Sequence, residues 1–276
     1  MIIGNREFLL GRRTYIAGII NLTPDSFSDG GLVTGPEEAA RLARELAAQG
    51  ADIIDIGAES TRPGSFPISA DTELERLLPA LRAVRAAVDV PISVDTYKSD
   101  VAAVAVRQGA DMVNDISGLR ADPLMAVTVA SLGVPVVIMH RRPFSSPFPG
   151  DVWPGLLKEL AISLEKAAVA GIPREKIILD PGFGFGKTDR QNLDLVMGLG
   201  KLKALGYPVL LGPSRKSTLG RLLQEPPLNR LEGTLALSVL AVAQGVDFLR
   251  VHDVASVRKA VRVADVAVRG LPEDPQ

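Results

Sequence analysis

Eight short apolar runs recur along the chain, and the segments between them repeat their apolar residues at a different spacing. In order the runs are 15-YIAGIIN-21, 52-DIIDIGA-58, 91-PISVDT-96, 112-MVNDIS-117, 135-PVVIMH-140, 177-IILDPG-182, 208-PVLLGP-213 and 246-VDFLRVHD-253. Near-continuous apolar character over so few residues suits strands buried on both faces, as in a parallel sheet. The intervening segments, such as 36-PEEAARLARELAAQG-50 and 71-DTELERLLPALRAVRAAV-88, have helical spacing. Pro36 stands where a first helical turn accepts proline, and Gly50 where a helix commonly stops. Strand and helix therefore alternate, which predicts successive βα units. Eight of them in 276 residues fit a single α/β domain, a (β/α)8 TIM barrel, better than an open doubly wound sheet. No Pro/Gly/Ser linker divides the chain, so residues 1–276 are expected to form one domain with a short N-terminal extension over 1–13.

Composition narrows the chemistry. The formal net charge is -1, which gives no electrostatic footprint for nucleic acid or an anionic membrane; any basic site must be local. There is no Cys, so thiolate catalysis, disulfides and Cys-ligated metals are excluded. The first residues, 1-MIIGNREFLLGRRTYIAGII-20, interrupt their apolar pieces with charge, and 132-LGVPVVIM-139 is too short to span a bilayer. A cytoplasmic protein is expected.

In a barrel the loops after the strands gather at one mouth, where catalytic groups sit. The strand ends carry Asn21, Glu59 to Arg62, Asp95, Asn114 and Asp115, His140, Asp180, Ser214 to Lys216, and Arg250, His252 and Asp253. Taken singly, Asp115 or Asp253 reads as a turn former or helix cap. Three groups of residues say more. In 180-DPGFGFGKTDR-190 alternate glycines allow close backbone approach, but one residue too few separates Gly182 from Gly186-Lys187 for a nucleotide-binding P-loop. Thr61, Arg62, Arg250 and His252 offer donors for an anion such as phosphate or pyrophosphate, with solvated surface arginines as the plainer reading. Asp95, Asn114, Asp180 and Lys216 combine carboxylate, amide and ammonium, a set suited to a flat heterocycle, or else an ordinary buried ion pair.

The motifs 20-INLTPDSFSDGG-31, 55-DIGAESTRPGS-65, 93-SVDT-96, 114-NDIS-117, 180-DPGFGFGKT-188, 214-SRKS-217 and 250-RVHD-253, in this order, resemble the dihydropteroate synthase family of pterin-binding barrels. That resemblance implies condensation of (7,8-dihydropterin-6-yl)methyl diphosphate with 4-aminobenzoate, giving 7,8-dihydropteroate and pyrophosphate for folate synthesis. It implies a pterin pocket of Asp95, Asn114, Asp180, Lys216 and Met139, and a diphosphate site of Asn21, Thr61, Arg62, Arg250 and His252. Pro63, Phe185, Lys216 and Ser217 would border 4-aminobenzoate, and Asp95, Asp180, Lys216, Arg250 and His252 would carry catalysis. Mg²⁺ would be the cofactor, held with the help of Asn21. Loops at Asp25 to Asp29 and Thr61 to Ser65 would close over the substrates, with Phe27 as a lid contact or as packing on the rim.

One stretch departs from the family pattern. After Met139 and His140 stand Arg141, Arg142 and Pro143, which read as a variation of the rim or as an added anion or partner surface. The nearest rivals are a methyltetrahydrofolate-dependent methyltransferase and a non-catalytic pterin binder. Neither needs the diphosphate donors that this sequence keeps. Homodimer formation is implied as well, with 234-TLALSVLAVAQG-245 and 254-VASVRKAVRVADVAVRG-270 as candidate faces; packing on the barrel would use the same residues.

Overall fold

Every one of the eight apolar runs becomes a parallel strand. A computed structural model describes residues 1–23, 33, 35–60, 65–143 and 145–270. The strands are β1 Tyr15–Asn21, β2 Ile53–Gly57, β3 Ile92–Asp95, β4 Met112–Asp115, β5 Val136–Met139, β6 Ile177–Asp180, β7 Leu210–Leu211 and β8 Phe248–Val251. Sequence neighbours are sheet neighbours, β8 pairs with β1 with Phe248 opposite Tyr15, and a parallel Leu179–Val209 bridge joins β6 to the approach to β7. The ring is closed, as the TIM barrel expectation requires. β7 is shorter than its apolar run because Pro208 and Pro213 flank it and cannot donate to a ladder.

Helices α1 Pro36–Ala48, α2 Ala70–Ala87, α3 Ser99–Arg107, α4 Met125–Leu132, α5 Val152–Val169, α6 Asp189–Met197, the single turn α7 Gly200–Lys203, α8 Ser217–Leu223, α9 Leu231–Ala243 and α10 Val254–Arg269 lie between and after the strands. Local chemistry sets their starts. Pro36 opens α1, the Ser69 side chain accepts from Thr72 N to cap α2, and Thr188 with Gln191 forms a capping box on α6.

Strand alternation divides the core in two. Ile16, Ile20, Ile54, Ile56, Ile92, Val94, Val113, Ile138 and Leu249 face outward and pack with the helices. The alternate residues Tyr15, Ala17, Ile53, Met112, Val137, Ile178, Leu210 and Phe248 point inward and form a separate cluster with Ile3 and Phe8. Burying a side chain of this size contributes roughly 1.5–3 kcal/mol. Residues 1–13 therefore serve the barrel directly: strands Ile2–Ile3 and Arg6–Glu7 form an antiparallel hairpin that brings Ile3 and Phe8 to the plug. Phe8 lies 4.8 Å from Tyr15 and 5.8 Å from Phe248 between ring centroids. Among the described residues no helix is long and apolar enough to cross a membrane.

Candidate active site

Two residues further along each inward face, the barrel changes from apolar to polar. Ile53 is followed by Asp55, Ser93 by Asp95, Met112 by Asn114, Ile178 by Asp180, and Phe248 by Arg250 and then His252. The register holds Asn21 beside Gly57, Gly57 beside Asp95 and Asp95 beside Asn114. Asn21, Asp95, Arg250 and His252 of this set line a cavity of about 360 Å³, within the range of small-molecule sites, while Asp55 and Asn114 lie behind Arg250 and Asp95, and Asp180 ends the β6 strand outside that lining. Asn21, Glu59, Asp95, Lys216, Arg250 and His252 are among its lining residues.

Arg250 organises the floor. Its Nε donates to Asp55 Oδ2 at 2.5 Å and its Nη2 to Asp95 Oδ2 at 2.7 Å. Burial opposes its charge, but Asp55 and Asp95 hold the guanidinium pKa above its ordinary value. Asn114 Nδ2 lies 3.5 Å from both Asp55 oxygens. Burial raises Asp95 to a pKa of about 7, with Arg250 pulling down and Asp55 and Glu73 pushing up. It raises Asp180 to about 6 against the hydrogen bond that Asp180 Oδ1 accepts from Gly182 N at 2.7 Å. Both carboxylates thus stand where a positively charged ligand would relieve the penalty of ionising them.

The wall beside them is apolar. Met139, Ile116 and Phe185 pack together with Tyr97, and Lys216 Nζ sits 4.1 Å from the Phe185 ring centroid. Gly184, at φ +83, is where the chain passes the Lys216 stem; a Cβ there would lie 3.2 Å from Lys216 Cδ. Gly182, at φ +71, leaves no room at all, since a Cβ would lie 1.8 Å from the His140 carbonyl oxygen. Lys187 is not a phosphate-binding lysine. Its buried Nζ donates to the carbonyls of Gly182 and Phe185 at 2.9 Å each and of His140 at 3.4 Å, tying the glycine loop down from beneath. Burial lowers it to about 7.

Past the end of β8, His252 Nδ1 meets Ser214 Oγ at 3.0 Å, and Ser217 opens α8 next to Lys216. Thr61, Arg62, Pro63 and Phe27 lie outside the described residues, as does the loop from Asp25 to Asp29. Ser65, where the description resumes, donates from Oγ to Ser60 O at 2.7 Å. Among the described residues no three His, Asp or Glu side chains gather as a metal site. Asn21 lines the cavity with a neutral amide oxygen, which fits a Mg²⁺ that takes most of its ligands from water and substrate phosphates.

Several strand-end residues serve structure. Asp115 accepts from Ser117 N and Leu119 N at 2.7 Å each, the turn role open to it in the sequence. Asp253 pairs with Arg215 through contacts of 2.6 and 3.1 Å. His140 is buried, with Nε2 3.1 Å from Glu159 on α5. Burial pushes it down to about 2, so it stays neutral. In the divergent loop Arg142 binds Glu159 at 3.0 Å and stacks on Phe148 with its guanidinium carbon 4.2 Å from the ring centroid.

Asp55 opens the 55–65 motif with no site role read for it, although its place two residues after inward-facing Ile53 marks it. Glu59 was named only as a strand-end residue. Its carboxylate accepts from Tyr97 OH at 2.6 Å and Lys98 Nζ at 2.5 Å, and Lys98 reaches Glu73 as well at 2.5 Å. No local spacing announces that network.

Comparison with known proteins agrees with this geometry. The profile of the family described as pterin binding enzyme matches residues 17–252. A dihydropteroate synthase of Clostridium beijerinckii is 44% identical over 270 residues, spanning 98% of this chain and all of the relative. The crystal structure of the Clostridium difficile dihydropteroate synthase, obtained in the presence of pteroic acid, superposes with a TM-score of 0.89 at 45% identity and covers 95% of this chain and 100% of that one. That of the Xanthomonas albilineans enzyme in complex with 7,8-dihydropteroate gives 0.85 at 41% identity, covering 96% and 97%.

Proposed function

The chain belongs to the dihydropteroate synthase family of pterin-binding enzymes, and from that premise we infer how its cavity performs the family's condensation. The protein is a transferase that joins (7,8-dihydropterin-6-yl)methyl diphosphate to 4-aminobenzoate, releasing 7,8-dihydropteroate and pyrophosphate. In our reading the flat pterin enters the barrel between the Met139 and Phe185 side and the polar floor. Asp95, Asn114 and Asp180 bind the amino and ring N–H groups, and Lys216 donates to the ring acceptors. Asn21, Thr61, Arg62, Arg250 and His252 face the diphosphate; Pro63, Phe185, Lys216 and Ser217 border the aminobenzoate.

The bond to the departing diphosphate is attached to a carbon on an electron-rich ring, so positive charge spreads into the pterin as that bond lengthens. Asp95 and Asp180, whose ionised forms are penalised by burial in the free protein, stabilise it. His252 and the arginines stabilise the developing anion. Mg²⁺, when bound with Asn21, supplies further positive charge to the diphosphate oxygens. The aniline nitrogen needs little help from a base, so no proton-abstracting residue is assigned. The observation that carries this reading is the floor itself: two buried, pKa-raised carboxylates beside an Arg250 held by Asp55 and Asp95.

Purified protein with both substrates and Mg²⁺ should release pyrophosphate and dihydropteroate in equal amounts. Chelation should stop both, and added Mg²⁺ should restore both. Pterin binding without either product would sink the assigned catalytic roles.

A homodimer is part of the same proposal, supported by the exposed Val239 and Leu240 on α9 and Val263, Val266 and Val268 on α10. Sedimentation at micromolar concentration tests it, and a monomer there would remove it. Cytoplasmic residence is proposed too, supported by the charge of the pyrophosphorylated pterin substrate, which keeps it from crossing a membrane unaided. Recovery of the protein outside the cytoplasm on cell fractionation would overturn that.

A further inference from the structure

The turn that presents Lys216 and Ser217 is held in an unfavourable backbone conformation. Arg215 has φ +58, a left-handed value that costs a residue with a Cβ and persists only where the surroundings impose it. Two elements do so. From the end of β8, Asp253 takes Arg215 Nη2 at 2.6 Å and Nε at 3.1 Å. From the start of α9, Thr234 Oγ1 accepts from Arg215 N at 3.3 Å, and Arg230 reaches back over α8.

Arg230 is the more telling of the two. Its Nη1 donates to the backbone carbonyls of Arg215 at 2.9 Å and Lys216 at 3.3 Å, and its Nε donates to Glu225 O at 2.9 Å. It crosses α8 where residue 220 is glycine; a Cβ there would fall 2.1 Å from Arg230 Nη2. The guanidinium thus ties the carbonyls on either side of the Lys216 Cα to the chain that follows α8, and Arg230 also lines the cavity. The Lys216 side chain is fixed separately, against Gly184 and over Phe185.

We propose that Arg230 is a positioning residue for the second substrate, holding the strained 214–217 turn so that Lys216 and Ser217 stand at the aminobenzoate side of the cavity. The proposal rests on the assignment of Lys216 and Ser217 to that side. The effect of Arg230 on the pterin is small, because Asp95, Asn114 and Asp180 are fixed on their own strands and the Lys216 ammonium, which serves both substrates, is held separately over Phe185. Small displacements of a positioning group are expensive in rate, so the effect belongs in the use of the amine.

The test compares wild type, Arg230→Met and Arg230→Lys with dihydropterin diphosphate, 4-aminobenzoate and Mg²⁺. The expected result for Arg230→Met is a KM for 4-aminobenzoate raised about tenfold or more, with the Kd for dihydropterin diphosphate within about threefold of wild type and a similar melting temperature. Arg230→Lys should be impaired nearly as much, because one ammonium cannot span the same carbonyls. Unchanged kinetics, full rescue by lysine, or an equal loss of pterin binding would each overturn the proposal. Should Arg230→Met not fold, Arg215→Gly against Arg215→Ala decides it. Both lose the Asp253 pair, but only glycine adopts φ +58 without strain, so glycine should show the lower KM for 4-aminobenzoate; equal values would overturn the proposal. Absence of product from wild type would instead refute the functional reading on which it stands.

Discussion

Replacing Asp95 by Asn removes one negative charge from the floor and keeps the shape of the side chain. In the native protein Asp95 lines the cavity and accepts from Arg250 at 2.7 Å. A unit charge about 4 Å from a developing cation is worth about 4 kcal/mol at an effective dielectric near 20. Asp95 is partly protonated near neutrality, because burial has raised it to about 7, so part of that attraction is already absent in the free protein. A loss of about 2–4 kcal/mol from the transition state is expected, and kcat should fall roughly 30- to 1000-fold. Ground-state binding should change less, since the bound pterin carries little positive charge before the diphosphate leaves. Arg250 keeps its 2.5 Å contact with Asp55 and should stay in place. Stability supplies an internal control. A carboxyl raised on folding favours the folded state below its unfolded pKa, and that contribution is lost as pH rises through the folded value. Asp95→Asn should therefore compare better with wild type at pH 8 than at pH 5 in thermal melts. Single-turnover and steady-state rates with saturating substrates, alongside those melts, decide the matter. A kcat within about threefold of wild type at full pterin occupancy would refute the role of Asp95.

The acid limb of kcat/KM for the pterin substrate should fall between about pH 7 and 6 as Asp95 and Asp180 take up protons, and a flat profile there would contradict their ionised roles. Asp55→Asn should move that limb to lower pH, because the Asp55 charge helps to raise Asp95; an upward shift in a pH-rate profile would be the wrong sign. Lys187→Met leaves three carbonyls of the glycine loop without their donor, at a cost of about 2–3 kcal/mol, or roughly 4–12 °C in Tm by calorimetry. An unchanged melt would assign Lys187 no structural part. Gly182→Ala, with φ +71 and the His140 carbonyl in the way, should yield little folded protein, and normal expression with a native melt would count against the loop geometry.

The barrel was legible because period and length do different jobs in this sequence. Apolar runs such as Ile53–Gly57 satisfy both faces of a strand, and the helix between Pro36 and Ala48 repeats at a wider spacing with a proline start. The floor was legible for the same reason. Asp95, Asn114, Asp180 and Arg250 each follow an inward-facing position by two residues, so strand alternation alone puts them on the inner face of the barrel at one end, where Asp95 and Arg250 line the cavity. Asp55 obeys that rule equally, but it lies inside its strand rather than at the end, where polar residues draw a functional reading. His140 shows the limit of strand-end reading: it occupies an end but faces α5 and Glu159. Lys98 with Glu59 and Glu73, and Arg230 with the 214–217 turn, depend on contacts between elements far apart in the chain. No local pattern encodes such meetings; only the closed barrel brings them about.

Positive charge appearing in the pterin as the diphosphate leaves is what Asp95 and Asp180 are there to stabilise. Its most direct test is the single-turnover rate of (7,8-dihydropterin-6-yl)methyl diphosphate dideuterated at the 6-methylene carbon against the protio substrate, at saturating 4-aminobenzoate. If that carbon becomes planar and cationic before the amine bonds, the deuterated substrate reacts measurably more slowly, and Asp95→Asn slows both. Equal rates for the two isotopologues, in a step shown to be chemical, would place bond making level with bond breaking and contradict the charge-stabilising role given to Asp95 and Asp180.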